Sequence, residues 1–146
     1  MVKKVSNRSV PDYAQFGHDV DGYGAMWTRS TPMGYRRGDY RRGGYRVGYL
    51  PHRLAQILSA RADSIVQVIY SYGTPIAWLD AGAWVVPDVR YSGTTGKHQG
   101  YLWPLAGRLD IPADVSITGY LRILNGQDRY SHGRLTSPAA TSPLFR

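Results

Sequence analysis

One run of residues narrows the possible folds of this chain more than any other. Residues 65–72, with the sequence Ile-Val-Gln-Val-Ile-Tyr-Ser-Tyr, are mostly β-branched or aromatic, and Gly73 follows them. Side chains of these types pack well on a pleated surface, so the run predicts a strand. The chain also has 17 Gly and 9 Pro, which disfavours long helices. Together these features predict a β-rich fold.

A hairpin is predicted directly after this strand. The apolar segments 76–79 and 83–86 are separated by Asp80-Ala81-Gly82, a spacing that fits a three-residue type I turn with a glycine bulge. Trp78 and Trp84 are equidistant from the centre of this turn. We therefore expect the two rings to lie on the same face of adjacent antiparallel strands.

The segment before the first strand predicts a short helix. Apolar residues at helical spacing and Pro51 near the start indicate a helix over 51–61. Two weaker strand candidates follow the hairpin, at 101–103 and 115–121. The predicted fold class is α+β: a small antiparallel β-rich domain over residues 50–124, with one short helix.

Both ends of the chain are predicted to be flexible and to lie outside this domain. Residues 1–33 mix Asp, Gly, Ser, Tyr and Pro without a periodic pattern, which indicates a loop-rich arm. Residues 125–146 are mostly polar or small, with little to bury, and are expected to form a disordered tail.

Residues 34–49 contain a tandem repeat of five residues. A five-residue period matches neither a helix face nor a strand face, and a glycine in every unit disfavours both. We therefore expect the segment to be extended or disordered on its own. The three copies, which we call the basic repeat, are Gly34-Tyr35-Arg36-Arg37-Gly38, Asp39-Tyr40-Arg41-Arg42-Gly43 and Gly44-Tyr45-Arg46-Val47-Gly48.

The positive charge of the chain is concentrated around this repeat. The net charge is +8, and residues 29–53 contain seven Arg and one Asp. Arginine pairs with phosphate through two parallel hydrogen bonds, and tyrosine rings stack on exposed bases, so the segment is typical of nucleic-acid binding. A solubilising linker is the alternative interpretation. The candidate nucleic-acid-binding residues are Arg36, Arg37, Tyr40, Arg41, Arg42, Tyr45 and Arg46.

The composition excludes several classes of site. The chain has no Cys, and all ten acidic residues are Asp, so Cys-ligated metals, thiol nucleophiles and glutamate bases are ruled out. His18, Asp19 and Asp21 match no recognised metal-ligand spacing. We therefore expect no metal and no cofactor. We also expect no membrane partner, because no apolar run approaches the ~20 residues that span a bilayer. The expected location is the cytoplasm, and the oligomeric state is left open.

A polar segment at 92–99 is the second candidate site. Its Gly93-Thr94-Thr95-Gly96-Lys97 run lacks the first glycine and the hydroxyl residue after lysine that a phosphate-binding P-loop requires. We expect a polar turn in which Thr94, Thr95, Lys97 and His98 contact an anion. The alternative is that a threonine caps a short helical turn while Lys97 and His98 are solvated.

The residues around this segment carry a resemblance to a known family. Ser71-Tyr72-Gly73-Thr74-Pro75-Ile76-Ala77-Trp78, together with the spaced motif from Trp84 to Gln99, resembles a small domain of tailed bacteriophages of actinobacteria that has no assigned function. The chain departs from that pattern at Gly93 and Gly96. The resemblance implies a phage origin and a role in an infected host cell, and it implies no catalytic residue.

The sequence therefore predicts a non-catalytic phage accessory or regulatory protein that binds DNA or RNA through the basic repeat. The main alternative is a protein-interaction module that binds a host or virion protein through exposed aromatic side chains. An enzyme ranks third, because no nucleophile motif such as Gly-x-Ser-x-Gly is present.

Overall fold

The computed structural model describes residues 2–30, 41–42, 45–131 and 134–136 of the chain. The helices of this part are α1 (Val10–Gln15), α2 (His52–Ala60), α3 (Gly93–Gly100) and α4 (Ile117–Leu124). Across the described ranges, no helix combines the length and the apolar character needed to span a membrane.

The described residues also form eleven strands. They are β1 (Lys3–Val5), β2 (Val20–Gly22), β3 (Met26–Ser30), β4 (Arg41–Arg42), β5 (Tyr45–Arg46), β6 (Ile65–Ser71), β7 (Thr74–Asp80), β8 (Ala83–Asp88), β9 (Leu109–Pro112), β10 (Arg129–Ser131) and β11 (Arg134–Thr136). Seven of them form one sheet in the order β1-β2-β3-β6-β7-β8-β9, while β4 pairs with β5 and β10 pairs with β11. The predicted α+β class is confirmed, although the chain has more than the one helix expected.

The main sheet is mixed rather than purely antiparallel. Its centre, from β2 to β8, is antiparallel, whereas β1 pairs with β2 and β8 pairs with β9 in parallel. Parallel neighbours need a crossover connection. The helix α1 lies in the connection from β1 to β2, and α3 lies in the connection from β8 to β9.

Helices cover both faces of the sheet, so the core has two halves. On one face, side chains of α2 and α4 pack with Val68, Trp78 and Val85 of the sheet. On the other face, side chains of α1 and the residues after α3 pack with Ile69 and Trp84. The consecutive residues Val68 and Ile69 enter different halves because neighbouring side chains on a strand alternate between faces.

The expectation that the Trp78 and Trp84 rings share one face of the sheet is wrong, because side chains alternate between the two faces along each strand. The hairpin from β7 to β8 exists, but its turn has two residues, Ala81 and Gly82, with φ of +50° and +83°. Trp78 therefore lies opposite Val85, and Trp84 lies opposite Leu79. The shorter turn shifts the register by one residue, which moves the two rings to opposite faces.

The arm predicted over residues 1–33 is also wrong across residues 2–30. These residues form three strands of the main sheet and the helix α1 that packs on it. The strand β3 pairs along its whole length with β6. Strands of three to five residues show too little alternation to be recognised locally, because their stability comes from distant partners. The compact domain thus begins well before residue 50.

Three predictions in the second half of the chain also need correction. Residues 101–103 form a turn rather than a strand, and 117–124 form α4, which Ser116 begins by accepting a hydrogen bond from the Gly119 N–H at 3.0 Å. The tail predicted from residue 125 contains β10 and β11, and the Tyr130 hydroxyl donates to Asp88 at 2.6 Å. Residues 137–146 lie outside the described residues.

A buried charged network ties β7 to two helices. Asp80 is fully buried and accepts two hydrogen bonds from Arg61, each of 3.0 Å, and a third from the Tyr120 hydroxyl at 2.6 Å. The Trp78 indole N–H donates to the same hydroxyl at 3.0 Å. Burial and the negative charge of Asp80 raise the pKa of Tyr120, so the phenol stays protonated. Each member has a partner, as burial of polar groups requires.

Candidate functional site

A groove of about 460 Å³ opens where the basic repeat ends. Two of its tyrosines are well exposed: Tyr49 to 83% and Tyr72 to 54%. Two large aromatic rings are therefore accessible to a ligand in one concave surface. We call it the tyrosine groove, and its lining residues are Tyr49, Tyr72, Thr74, Tyr91, Ser92, Thr94 and Thr95.

The last glycine of the repeat fixes Tyr49 at the groove. Gly48 has a φ of +47°, and a Cβ at this position would collide with the Thr74 hydroxyl and the Gly73 backbone. Glycine is the residue that tolerates both the left-handed conformation and this close approach. The Tyr49 N–H then donates to Thr74 Oγ1 at 2.9 Å. The basic repeat is thus anchored directly beside the groove.

Tyr72 is held in a strained turn. It connects β6 to β7 together with Gly73, and the two residues have φ of +51° and +82°, the combination of a two-residue hairpin turn. A left-handed conformation costs a side-chain-bearing residue about 1–2 kcal/mol. The Tyr72 ring stacks on the imidazole of His98, with ring centroids 5.8 Å apart and planes 16° apart. This contact immobilises a ring that solvent reaches.

His98 is a buried residue that supports this ring. It is only 4% exposed, its Nδ1 lies 2.7 Å from Ser71 Oγ, and its Nε2 lies 3.4 Å from the side-chain amide of Asn7. The amide donates to Nε2, so Nδ1 carries the proton and donates to Ser71, which in turn donates to Thr95 at 3.3 Å. Burial lowers the pKa of His98, and the positive charge of Lys97 lowers it further by a smaller amount. Both effects favour the neutral imidazole.

The Ser71–His98 contact has the distance of a nucleophile and its base, but its geometry does not support that chemistry. His98 donates to Ser71 rather than accepting from it, and Ser71 is fully buried. A catalytic serine needs a base that takes its proton and space for a substrate. We interpret the pair as a support that fastens α3 to β6.

The structure changes the interpretation of residues 92–99. The expected polar turn is the helix α3, whose N-cap is Ser92 rather than a threonine, and the Ser92 side chain makes no capping bond. Thr94 and Lys97 are exposed, whereas Thr95 and His98 are buried. Thr95 and His98 are therefore withdrawn as direct anion contacts, and the solvated His98 of the alternative interpretation is wrong as well. The helix was missed because three glycines give it little intrinsic propensity.

The basic repeat is described only in part. Arg41 and Arg42 form β4, which pairs antiparallel with Tyr45 and Arg46 of β5. Arg36, Arg37 and Tyr40 lie outside the described residues. The sequence had not singled out Tyr49 and Tyr72 as site residues, although the Tyr72-Gly73 pair is itself a turn signal.

A second cavity, of about 590 Å³, lies between α3 and the parallel pair β8 and β9. Its lining includes Tyr91 and Ser92, which also line the tyrosine groove. Within the described part of the chain, no three His or Asp side chains cluster as metal ligands would. We call this space the α3 cavity, and the side chains used below are Arg90, Trp103, Arg108, Asp88, Asp110 and Tyr130.

Comparison with known proteins identifies a family. The family model described as a family of unknown function, DUF8033, matches residues 26–103, which is just over half of the chain. The chain belongs to this family. The matched segment runs from β3 through α3 and so contains the basic repeat and the tyrosine groove. No curated protein and no solved structure matches the chain.

Proposed function

We propose that this member of the DUF8033 family is a non-catalytic protein that binds single-stranded DNA or RNA. In this proposal the arginines of the basic repeat contact phosphates, and unpaired bases stack on the exposed tyrosine rings of the tyrosine groove. The observation that carries the proposal is the position of the immobilised Tyr72 ring beside the anchored end of the repeat.

The groove suits bases because stacking needs accessible, fixed aromatic faces. Tyr72 is held by His98 on one side, so it loses little conformational freedom when a base stacks on it. Tyr49 supplies a second exposed ring in the same groove. Stacking on aromatic rings is tolerant of base identity, and each stacked base contributes about 1–3 kcal/mol.

The repeat suits the phosphate backbone because its charge is concentrated and mostly uncompensated. Its single acidic residue is Asp39, against five arginines. Neutralising five phosphates of a single strand predicts that log affinity falls with log salt at a slope of roughly −3 to −4. The exposed Thr94 and Lys97 lie on α3, where we place a secondary anion contact.

Three further parts of the proposal concern context. The resemblance to the actinobacteriophage domain supports an accessory role in an infected cell, with the cytoplasm as the location. The geometry of the Ser71–His98 pair supports a non-catalytic role. A host or virion protein is the alternative partner, and the test below separates it from nucleic acid.

The test is a fluorescence anisotropy titration with labelled oligo(dT), oligo(U) and a duplex, repeated from about 50 to 300 mM salt. We expect binding to the single strands with the slope given above. The variant with Tyr49→Ala and Tyr72→Ala is expected to bind about 5- to 150-fold more weakly for each base that stacks, with the slope nearly unchanged.

The matched control is Tyr23→Ala, because Tyr23 is 74% exposed but lines neither the groove nor the α3 cavity. Replacing the five repeat arginines with lysine is expected to keep most of the slope while losing the planar two-bond geometry. If the intact protein shows no salt-sensitive binding, nucleic acid is the wrong partner, and a protein partner replaces it.

A further inference from the structure

We infer that the bound single strand continues past the tyrosine groove into the α3 cavity, where Trp103 stacks on a further base. This inference rests on the proposed function and extends it from one subsite to two. It assigns the cavity to the same ligand because the groove and the cavity share Tyr91 and Ser92 in their walls.

The rim of the α3 cavity has the side chains that such a ligand needs. Trp103 is 81% exposed, although a ring of this size is usually largely buried. Arg90 is exposed as well and forms no ion pair with any described residue. An accessible indole and a guanidinium without an ion pair in the lining of one cavity provide a stacking surface and a phosphate contact.

The acidic groups of the cavity are already engaged by the protein. Asp110 accepts from Arg108 at 2.8 Å, and Asp88 accepts from the Tyr130 hydroxyl at 2.6 Å. The positive charge of Arg108 offsets the negative charge of Asp110 in the lining of the cavity. Arg90 therefore need not break an ion pair with a described residue before it contacts a phosphate.

Three of the four α3 residues that line the cavity are glycines, and the fourth is Gln99. A Cβ at Gly93, Gly96 or Gly100 would meet no atom within 4 Å, and none of the three has a positive φ. Neither close packing nor backbone conformation therefore requires glycine at these positions. Each costs about 0.5–1 kcal/mol relative to alanine within a helix. The absence of side chains at the three glycines leaves this wall of the cavity open.

The experiment measures affinity for oligo(dT) of 2 to 12 nucleotides with the full chain and four variants, one of them the Tyr49→Ala and Tyr72→Ala double variant. For the wild type we expect affinity to rise in two stages as the groove and then the cavity fill. Trp103→Ala is expected to lose only the second stage, by about 5- to 150-fold for the longer oligomers. Trp103→Phe is expected to restore most of it, because a phenyl ring also stacks. Phe16→Ala, which removes a 79% exposed ring that lines neither cavity, is expected to bind like the wild type.

Tryptophan fluorescence gives a second readout in the same titration. Trp78 and Trp84 are buried and Trp27 is half-buried, so the quenching that is present in the wild type and absent in Trp103→Ala reports on Trp103. Longer oligomers are expected to quench it, and dinucleotides are not. If Trp103→Ala binds every length like the wild type while the Tyr49 and Tyr72 variant is weakened, the second subsite is wrong and the proposed function stands. Absence of binding by the wild type overturns both.

Discussion

The Tyr120→Phe substitution tests whether the buried network of Asp80 holds α4 against the sheet. The phenol donates to Asp80 at 2.6 Å and accepts from the Trp78 indole at 3.0 Å. Phenylalanine keeps the ring, so packing changes little. The variant therefore isolates two hydrogen bonds of one hydroxyl.

The expected loss follows from these two contacts. A hydrogen bond to a charged group contributes about 1.5–3 kcal/mol, and leaving the buried Trp78 N–H without an acceptor costs about 1–3 kcal/mol. Asp80 keeps both bonds from Arg61, so it does not become an unpaired buried charge. We expect the free energy of unfolding to fall by about 3–4 kcal/mol. For a chain of 146 residues this corresponds to a decrease in Tm of about 10–15 °C.

The assay is urea unfolding followed by circular dichroism, with Tyr130→Phe as the matched control. The Tyr130 hydroxyl also donates to an aspartate at 2.6 Å, but that contact is exposed. An exposed hydrogen bond exchanges with water, so we expect a loss of less than about 1 kcal/mol. Equal losses in the two variants would refute the argument that burial makes the Tyr120 contact strong.

Three further predictions address other parts of the fold. Because burial lowers the pKa of His98, the unfolded chain takes up a proton first as pH falls. The contribution of neutral His98 to the free energy of unfolding is complete above about pH 6.5 and decreases below it, by at most about 1.4 kcal/mol per pH unit. Urea titrations from pH 5 to 8 measure this dependence. His98→Gln is expected to remove it, whereas the control His52→Gln is expected to keep it. Burial raises the pKa of Tyr91 to about 12, and its buried hydroxyl has no hydrogen-bond partner among the described residues. Tyr91→Phe is therefore expected to leave Tm unchanged or higher, and a decrease of more than about 3 °C contradicts this. Gly82→Val places a β-branched residue at a φ of +83° and is expected to destabilise the chain by at least about 1–2 kcal/mol in the same assay; an unchanged midpoint would show that the turn adapts.

The sequence predicted the elements whose own residues determine their structure. The strand β6, the hairpin β7–β8 and the helix α2 have clear local patterns, and the structure contains all three. Residues 115–121, predicted as a weak strand, lie largely in the helix α4, whose form depends on the Ser116 cap and on burial of Tyr120. Local propensity gives no access to such tertiary contributions.

The candidate site was predictable to a smaller extent. The basic repeat and residues 93–98 are chemically unusual in the sequence, but the buried His98 has a hydrogen-bond partner, Asn7, that is 91 residues away in the chain. The groove itself forms from three separate segments, around residues 49, 72 and 92. No local pattern indicates that such segments meet, because the sheet register brings them together.

The strand order also has a consequence for the order of folding. The ladders from β6 to β8 join strands that are neighbours in the chain, so they close short loops and are expected to form early. The ladder from β3 to β6 joins Ser30 to Gln67, and it must close across the whole of the basic repeat and α2. A newly synthesised chain therefore holds its first thirty residues without their main partner until β6 has been made. Because loop closure depends only weakly on loop length, inserting a further copy of the first repeat unit is expected to change the folding rate slightly and to leave the final sheet unchanged.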